Sequence, residues 1–258
     1  MHIDKKADAA PFKAAVPDPR VRFLEDRVRV RWGDFSVVEA TLALMTAAAG
    51  SGLDRLCLLS GVDYPVRSAE YIVRFFDAHR GTEFISMVPM PNDRVEKPLT
   101  RLTRYHLPHA AFGRFTARAQ RLLDRIVRRD YAWNLQSLGP HAGSQWWALT
   151  AKACAHVLQF VSDHPEYVRF FRHVIVPDES FFQTIIGNSR FAPRVTRNLT
   201  MVHWPTGTSS PAVLDRRQVL RLAGTGPLID ENGYGRGEVL FARKFPDDSG
   251  SLVELLQV

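Results

Sequence analysis

Three groups of residues in this chain have chemistry to offer beyond building a fold. Asp178 and Glu179 stand side by side between Pro177 and the apolar Phe181-Phe182. Acids at such a place cap a helix and complement its positive end. Arg243 and Lys244 follow the apolar Leu240-Phe241-Ala242. An arginine fork beside a compact ammonium could hold phosphate oxygens, or could be a basic strand end facing solvent. From Arg101 to Arg129 there are eight arginines and no lysine, against one acid, Asp124. Arg114, Arg118, Arg121, Arg125 and Arg128 recur at helical spacing and line one face, with Phe115, Ala119, Leu122 and Ile126 on a neighbouring one. Three readings of such a helix are open: a solvated basic surface, a contact for an anionic membrane, or an attractor for an anionic substrate. Nucleic acid is the weaker partner, because no helix-turn-helix, zinc-finger or RNA-recognition signature accompanies the arginines.

Metal and thiol chemistry find less support. Cys57 and Cys154 are the only cysteines, each in an apolar stretch, which reads as two buried, reduced thiols rather than a disulfide framework. A zinc site would need more Cys and His at short spacing. His106-Leu107-Pro108-His109 comes nearest, and its proline works against a helical ligand pair.

The elements that must position these residues alternate between strand and helix. Val28 to Trp32 predicts a short strand, and Ser36 with Glu39 predicts a capping box opening a helix to about Ala49, ended by Gly50-Ser51-Gly52. Arg55 to Ser60 reads as a strand buried on both faces, Gly61 to Pro65 as a turn, and Ser68 as the start of a helix burying Ile72, Phe75 and Phe76. Strands are expected at Glu83 to Ser86 and Gln145 to Leu149. Helices are expected from Thr150 to about Asp163, from Pro165, and from a cap at Asp178 to about Ile186. This alternation is α/β with a mostly parallel central sheet flanked by helices. Ligands of open α/β sheets bind beyond the carboxyl ends of strands, which directs attention to Ser60-Gly61-Val62-Asp63, Gly143-Ser144-Gln145 and Asp178-Glu179.

Composition agrees with an ordinary globular chain. Of 258 residues, 45% are hydrophobic and 24% charged, which excludes disordered, collagenous and disulfide-scaffold classes. The net charge of +7 equals the excess in the arginine-rich stretch alone. A single domain over residues 1–258 is expected. No apolar run reaches the roughly 18 to 20 residues that span a bilayer, and Met1 to Lys6 is polar where a signal peptide is apolar. The expected location is cytoplasmic, or peripheral at the inner face of the membrane.

Four segments taken in order carry a resemblance. Leu58-Leu59-Ser60-Gly61-Val62-Asp63-Tyr64-Pro65-Val66-Arg67, Gly143-Ser144-Gln145-Trp146-Trp147-Ala148-Leu149, Pro177-Asp178-Glu179-Ser180-Phe181-Phe182-Gln183-Thr184 and Leu240-Phe241-Ala242-Arg243-Lys244-Phe245 resemble the core-2/I-branching β-1,6-N-acetylglucosaminyltransferase and peptide O-xylosyltransferase family, glycosyltransferase family 14. His2 to Lys6 and Trp32-Gly33 are also similar to family segments.

The resemblance implies a GT-A-like fold and inverting transfer of a sugar, of N-acetylglucosamine or xylose type, from a UDP-sugar to a glycan, glycolipid or peptide hydroxyl. It implies no metal ion or other cofactor, and no Asp-x-Asp occurs in the chain. Departure of UDP without a metal requires fixed cations on the diphosphate, the role implied for Arg243 and Lys244. Glu179 matches the family's catalytic base, which takes the acceptor hydroxyl's proton as that oxygen attacks the anomeric carbon. Asp4, Trp32 and Gly33 are implied in the uridine or donor pocket. Ser60, Asp63, Ser144, Gln145 and Trp146 are implied as sugar or acceptor contacts, while Ser60 and Asp63 could equally hold a turn through side-chain hydrogen bonds. Gln145 stands where xylosyl-transferring relatives carry an acid. Trp146 and Trp147 alternate faces, so that one could pack in the core and the other stack on a sugar. Family members place a strand and helix before the His-x-Asp-x-Lys segment, so the expected fold lacks its first strand and helix, through either a truncated chain or a start that lies upstream. Two other classes stand beside the enzyme: a nucleotide-sugar-binding module with impaired catalysis, and a basic protein that binds membrane or nucleic acid.

Overall fold

A computed structural model describes residues 1–107, 116–205, 207–208 and 210–256. Pro108, His109, Arg114 and Phe115 lie outside them, and the side chains of Arg121 and Arg125 are not described. The chain divides into two compact units, the first comprising Met1–Leu56, Met87–Gln145 and Ala151–Ala192, the second Cys57–Ser86, Trp146–Thr150 and Pro193–Val258.

Helices run at Ala10–Ala15 (α1), Ser36–Ala48 (α2), Ala69–Ala78 (α3), Thr100–Thr103 (α4), Thr116–Ile126 (α5), Tyr131–Leu135 (α6), Ala151–Asp163 (α7), Pro165–Phe171 (α8), Phe181–Gly187 (α9) and Arg216–Leu222 (α10). Strands run at Arg55–Cys57 (β1), Asp63–Pro65 (β2), Glu83–Pro89 (β3), His141–Thr150 (β4), Val195–Thr196 (β5), Thr200–Val202 (β6), Ile229–Asn232 (β7), Gly235–Glu238 (β8) and Phe241–Arg243 (β9). The architecture is mixed α/β, as the alternation in the sequence predicts. Strand order is β1-β4-β3-β5 in one sheet, β2-β9-β6 in a second and β7-β8 in a hairpin.

The sheets are mixed in direction rather than mostly parallel. β3 with β5 and β6 with β9 run parallel, whereas β2 with β9 and β7 with β8 run antiparallel. The chain leaves β3 at Met90, whose N–H donates to the carbonyl of Pro140 just before β4, so those two strands also run in opposite senses. A long connection that returns to the end it left makes an antiparallel neighbour, a geometry that period and burial do not reveal.

Several local expectations change with the tertiary context. Val28 to Trp32 is no strand: Val28 pairs with the N-terminal segment, its N–H donating to His2 Nε2 at 2.8 Å and its carbonyl accepting from Lys5 N–H at 3.0 Å, while the Arg31 carbonyl accepts from Asp34 N–H at 3.2 Å. Ser36 does not cap α2, because its hydroxyl accepts from Arg31 N–H at 2.8 Å and Phe35 occupies the cap position. Glu39, freed from a capping box, pairs with Arg172 at 2.8 Å. β1 is only partly buried, and the turn at Gly61-Val62 leads directly into β2. Ser68 does cap α3, accepting from Tyr71 N–H at 3.2 Å, and Pro165 opens α8.

An aromatic cluster fills the core of the first unit. The Phe181 ring lies 5.6 Å from Phe35, 5.1 Å from Tyr167, 5.3 Å from Phe171 and 5.1 Å from Phe182. The Tyr167 hydroxyl donates to the Phe181 carbonyl at 2.8 Å, satisfying the one polar atom the cluster buries. Truncating a buried phenylalanine leaves a cavity that neighbours close only in part. Phe181→Ala should therefore cost about 3–5 kcal/mol of stability, measured by urea unfolding. The second unit has two apolar clusters, one around Phe75, Phe84, Leu199, Leu240 and Phe241, the other around Val66, Leu214, Val219, Val239, Ala242 and Phe245. The strand β9 feeds alternate residues into both, which fixes its register and the position of its carboxyl end.

Candidate active site

Glu179 lies in the first unit, in a single 3-10 turn over Pro177–Glu179. α9 begins only after Ser180, so Asp178 does not cap it. The turn is tied down on its N-terminal side, where Val176 N–H donates to the Gly33 carbonyl at 2.9 Å. Gly33 has φ +78°, a conformation that costs a side chain dearly, and this explains the glycine after Trp32. Trp32 itself is 78% exposed. Next to Gly33, buried Asp34 lies 3.2 Å from His106 Nε2, while His109, the other half of the zinc-spaced pair, lies outside the described residues.

The Glu179 carboxylate is held by two cations. Lys97 Nζ and Arg101 Nη1 each lie 2.6 Å from Oε2. Lys97 sits at the closing bridge of a small loop, where Asn92 and Lys97 exchange backbone hydrogen bonds, and Arg101 stands on α4. Burial lowers the Lys97 ammonium below its ordinary pKa against the pull of Glu179. Neither cation was marked by sequence pattern. Arg101 merely opens the arginine-rich stretch, and Lys97 has no motif.

Asp178 points the other way, into the protein. Burial, and then the neighbouring Glu179 charge, push its carboxyl up to about 7, with Arg101 and Lys97 pulling it down less strongly. Among the described residues its Oδ1 and the Oε1 of fully buried Gln183 have no hydrogen-bond partner, while Gln183 Nε2 donates to the carbonyls of Ser144 at 2.7 Å and Asp178 at 3.3 Å. A carboxyl raised on folding binds its proton more tightly in the native state. Its contribution is therefore fully present below the unfolded pKa near 3.8 and is lost as pH rises through about 7. Asp178→Asn should flatten that decline in melting temperature between those pH values.

The second unit holds a separate polar cluster at the carboxyl end of β9. In the β2–β9 pair Asp63 is directly opposite Arg243. Arg243 Nε lies 3.0 Å from Asp63 Oδ1, and the guanidinium carbon stands 4.2 Å over the ring centre of Trp146. Ser60 closes the turn, its N–H donating to Asp63 Oδ2 at 2.7 Å and its hydroxyl to Oδ1 at 3.0 Å. Burial raises the Asp63 carboxyl above its ordinary pKa even with these donors and Arg243 opposing it, and burial likewise lowers that of Arg243. Lys244 follows, half-buried, its carbonyl accepting from Leu214 N–H at 2.8 Å. Nε makes no hydrogen bond among the described residues, so Asp63 holds the guanidinium by charge at ion-pair distance; the Nη1/Nη2 edge of an arginine is the one that can grip an anion in bidentate fashion.

The remaining expected residues fall as follows. Asp4 Oδ1 accepts from Lys6 N–H at 2.9 Å, in a turn braced by Arg27, whose Nη1 donates to the Ala7 carbonyl at 2.8 Å. Ser144 and Gln145 are half-buried on β4 in the first unit. Trp146 and Trp147 are both buried, and the face of Trp146 carries Arg243. Among the described residues, no group of three His, Cys, Asp or Glu side chains is placed to hold a metal ion, and Cys57 and Cys154 are not joined in a disulfide.

An α/β protein with a carboxylate clamped by two cations, and with an arginine-lysine strand end braced by a buried acid and an indole, has the parts for proton transfer and anion binding. A model of the core-2/I-branching enzyme family matches residues 1–220. The chain belongs to that family, glycosyltransferase family 14. It is 26% identical over 218 residues to xylosyltransferase oxt of Drosophila pseudoobscura pseudoobscura and 26% identical over 216 residues to xylosyltransferase 2 of Homo sapiens. Each match takes in 79% of this chain and 23% of the relative, so the chain spans about a quarter of the length of these proteins.

Proposed function

We propose that this chain acts as one metal-independent, inverting glycosyltransferase domain of GT-A type. It moves a sugar from a UDP-sugar to a hydroxyl of a glycan, glycolipid or peptide. The observation that carries the reading is the Glu179 carboxylate, fixed through Oε2 by Lys97 and Arg101 within the Pro-Asp-Glu motif. Single displacement requires one carboxylate to accept the acceptor's proton as its oxygen attacks, and a base held by two ion pairs keeps its position through that step. Arg243 and Lys244 stabilise the charge that grows on the diphosphate as it leaves, the task a divalent cation performs in other transferases. Asp63, Ser60 and Trp146 orient that guanidinium. Asp4, Trp32 and Gly33 contribute to the uridine side, and Ser144 and Gln145 to sugar or acceptor contacts. The names of the relatives favour xylose as the transferred sugar, and Gln145 keeps N-acetylglucosamine as the competitor.

Calorimetric titration of UDP in the presence of EDTA, followed by a donor screen of UDP-xylose against UDP-N-acetylglucosamine, tests the reading. UDP binding without metal and turnover of one donor are expected. Metal-dependent binding would overturn the metal-independent mechanism, and binding without transfer to any acceptor would leave a nucleotide-sugar-binding module.

A further inference from the structure

The eight arginines between Arg101 and Arg129 do not form one basic face. Arg101 is bound to Glu179. Arg129 is drawn inside the first unit, donating to the carbonyls of His173 at 2.8 Å and Phe170 at 2.5 Å and lying 3.8 Å over the Phe170 ring. Burial takes its guanidinium down to about 10. What stays outside is different. Arg104, Arg118 and Arg128 are exposed, and so are the apolar Leu122 at 59% and Ile126 at 70%.

The anchoring of α5 explains this. Gln120 accepts from Leu107 N–H at 2.9 Å and donates to the Tyr105 carbonyl at 2.7 Å, while Leu123 and Asp124 on the same side are half-buried. At 100° per residue, Arg118, Leu122 and Ile126 then point away from the protein, two large aliphatic side chains in line with an arginine. A few residues on, α6 buries Leu135 completely and leaves Trp133 81% exposed. A soluble surface rarely leaves Leu, Ile and Trp so exposed within a dozen residues of chain, whereas an amphipathic helix with arginine on its outer side, followed in sequence by an exposed tryptophan, matches the composition of an interfacial segment.

We infer that α5 and α6 form a docking surface for an anionic lipid bilayer, with Leu122, Ile126 and Trp133 entering the headgroup boundary and Arg118 and Arg128 meeting lipid phosphates. The charge fits this occupant, since Arg104, Arg118 and Arg128 are exposed, the one acid of α5, Asp124, faces the protein 2.9 Å from Gln120 Nε2, and the exposed Asp130 is tied to the start of α6, accepting from Trp133 N–H at 3.0 Å. The surface is independent of the proposed reaction and would hold the chain beside a membrane whatever it transfers.

Co-sedimentation of the full chain with vesicles of phosphatidylcholine, with and without phosphatidylglycerol, tests this. Binding to the anionic vesicles is expected, weakening as salt is raised. Leu122→Asp/Ile126→Asp should reduce it by more than about tenfold, and each of Arg118→Ala and Arg128→Ala by roughly fivefold. These positions are exposed, so the variants should melt as the wild type does. If the aspartates alter melting, Leu122→Ala/Ile126→Ala must still weaken binding. Absence of binding to anionic vesicles overturns the inference, as does binding that both apolar double variants retain in full. Retention by duplex DNA without vesicle binding would assign the surface to nucleic acid and equally overturn it.

Discussion

Glu179→Gln is expected to bind the donor as the wild type does and to transfer its sugar about 10²- to 10⁴-fold more slowly. Glutamine keeps the size and most of the packing of the residue but cannot accept the acceptor's proton. The loss should therefore appear in the chemical step, in single-turnover measurements, and not in donor affinity. The substitution also strips Lys97 and Arg101 of their shared counter-charge, and Lys97 is nearly buried, with 9% of its side chain exposed. Some loss of stability is expected for that reason. Thermal melts and UDP affinity separate it from the catalytic effect, because an unfolded fraction lowers the binding stoichiometry and leaves affinity unchanged. Near-wild-type turnover would remove Glu179 from the mechanism and leave its two ion pairs as structural.

The Arg243→Ala/Lys244→Ala variant should lose UDP binding in EDTA by about 10²- to 10⁴-fold, since each charge-assisted hydrogen bond contributes roughly 1.5–3 kcal/mol. Removing Arg243 strands the fully buried side chain of Asp63, which already holds its proton more tightly than an exposed acid. Arg243→Lys and Lys244→Ala are therefore the informative single variants. Arg243→Lys keeps a charge near Asp63 but gives up the planar fork, so weaker binding with an unchanged melt would identify bidentate recognition. Retained UDP affinity in the double variant would show that the diphosphate sits elsewhere.

How much of this was legible beforehand differs from residue to residue. The Pro-Asp-Glu turn and the Arg-Lys strand end are visible because each is a contiguous motif. Ser68 and Pro165 announce their helices because capping and first-turn preferences are local. Ser36 misleads for the opposite reason: its hydroxyl was taken by a loop donor, and a capping box exists only if no other donor competes. The arginine spacing predicted the helix of α5 correctly over the described residues, but Arg101 and Arg129, at the two ends of the arginine-rich stretch, are taken up by Glu179 and by the carbonyls of Phe170 and His173.

The sequence by itself determined the family, the α/β class and the two motifs on which the proposed chemistry rests, because those depend on residue type at short range. Only the tertiary structure decided that Lys97 and Arg101 meet Glu179 across 82 and 78 residues, that Asp63 faces Arg243 across a strand pair, and that Leu122 and Ile126 turn outward. Such pairings follow from strand register and from which helix face finds a partner. Both are settled by the packing of the whole chain, and no local pattern of residues encodes them.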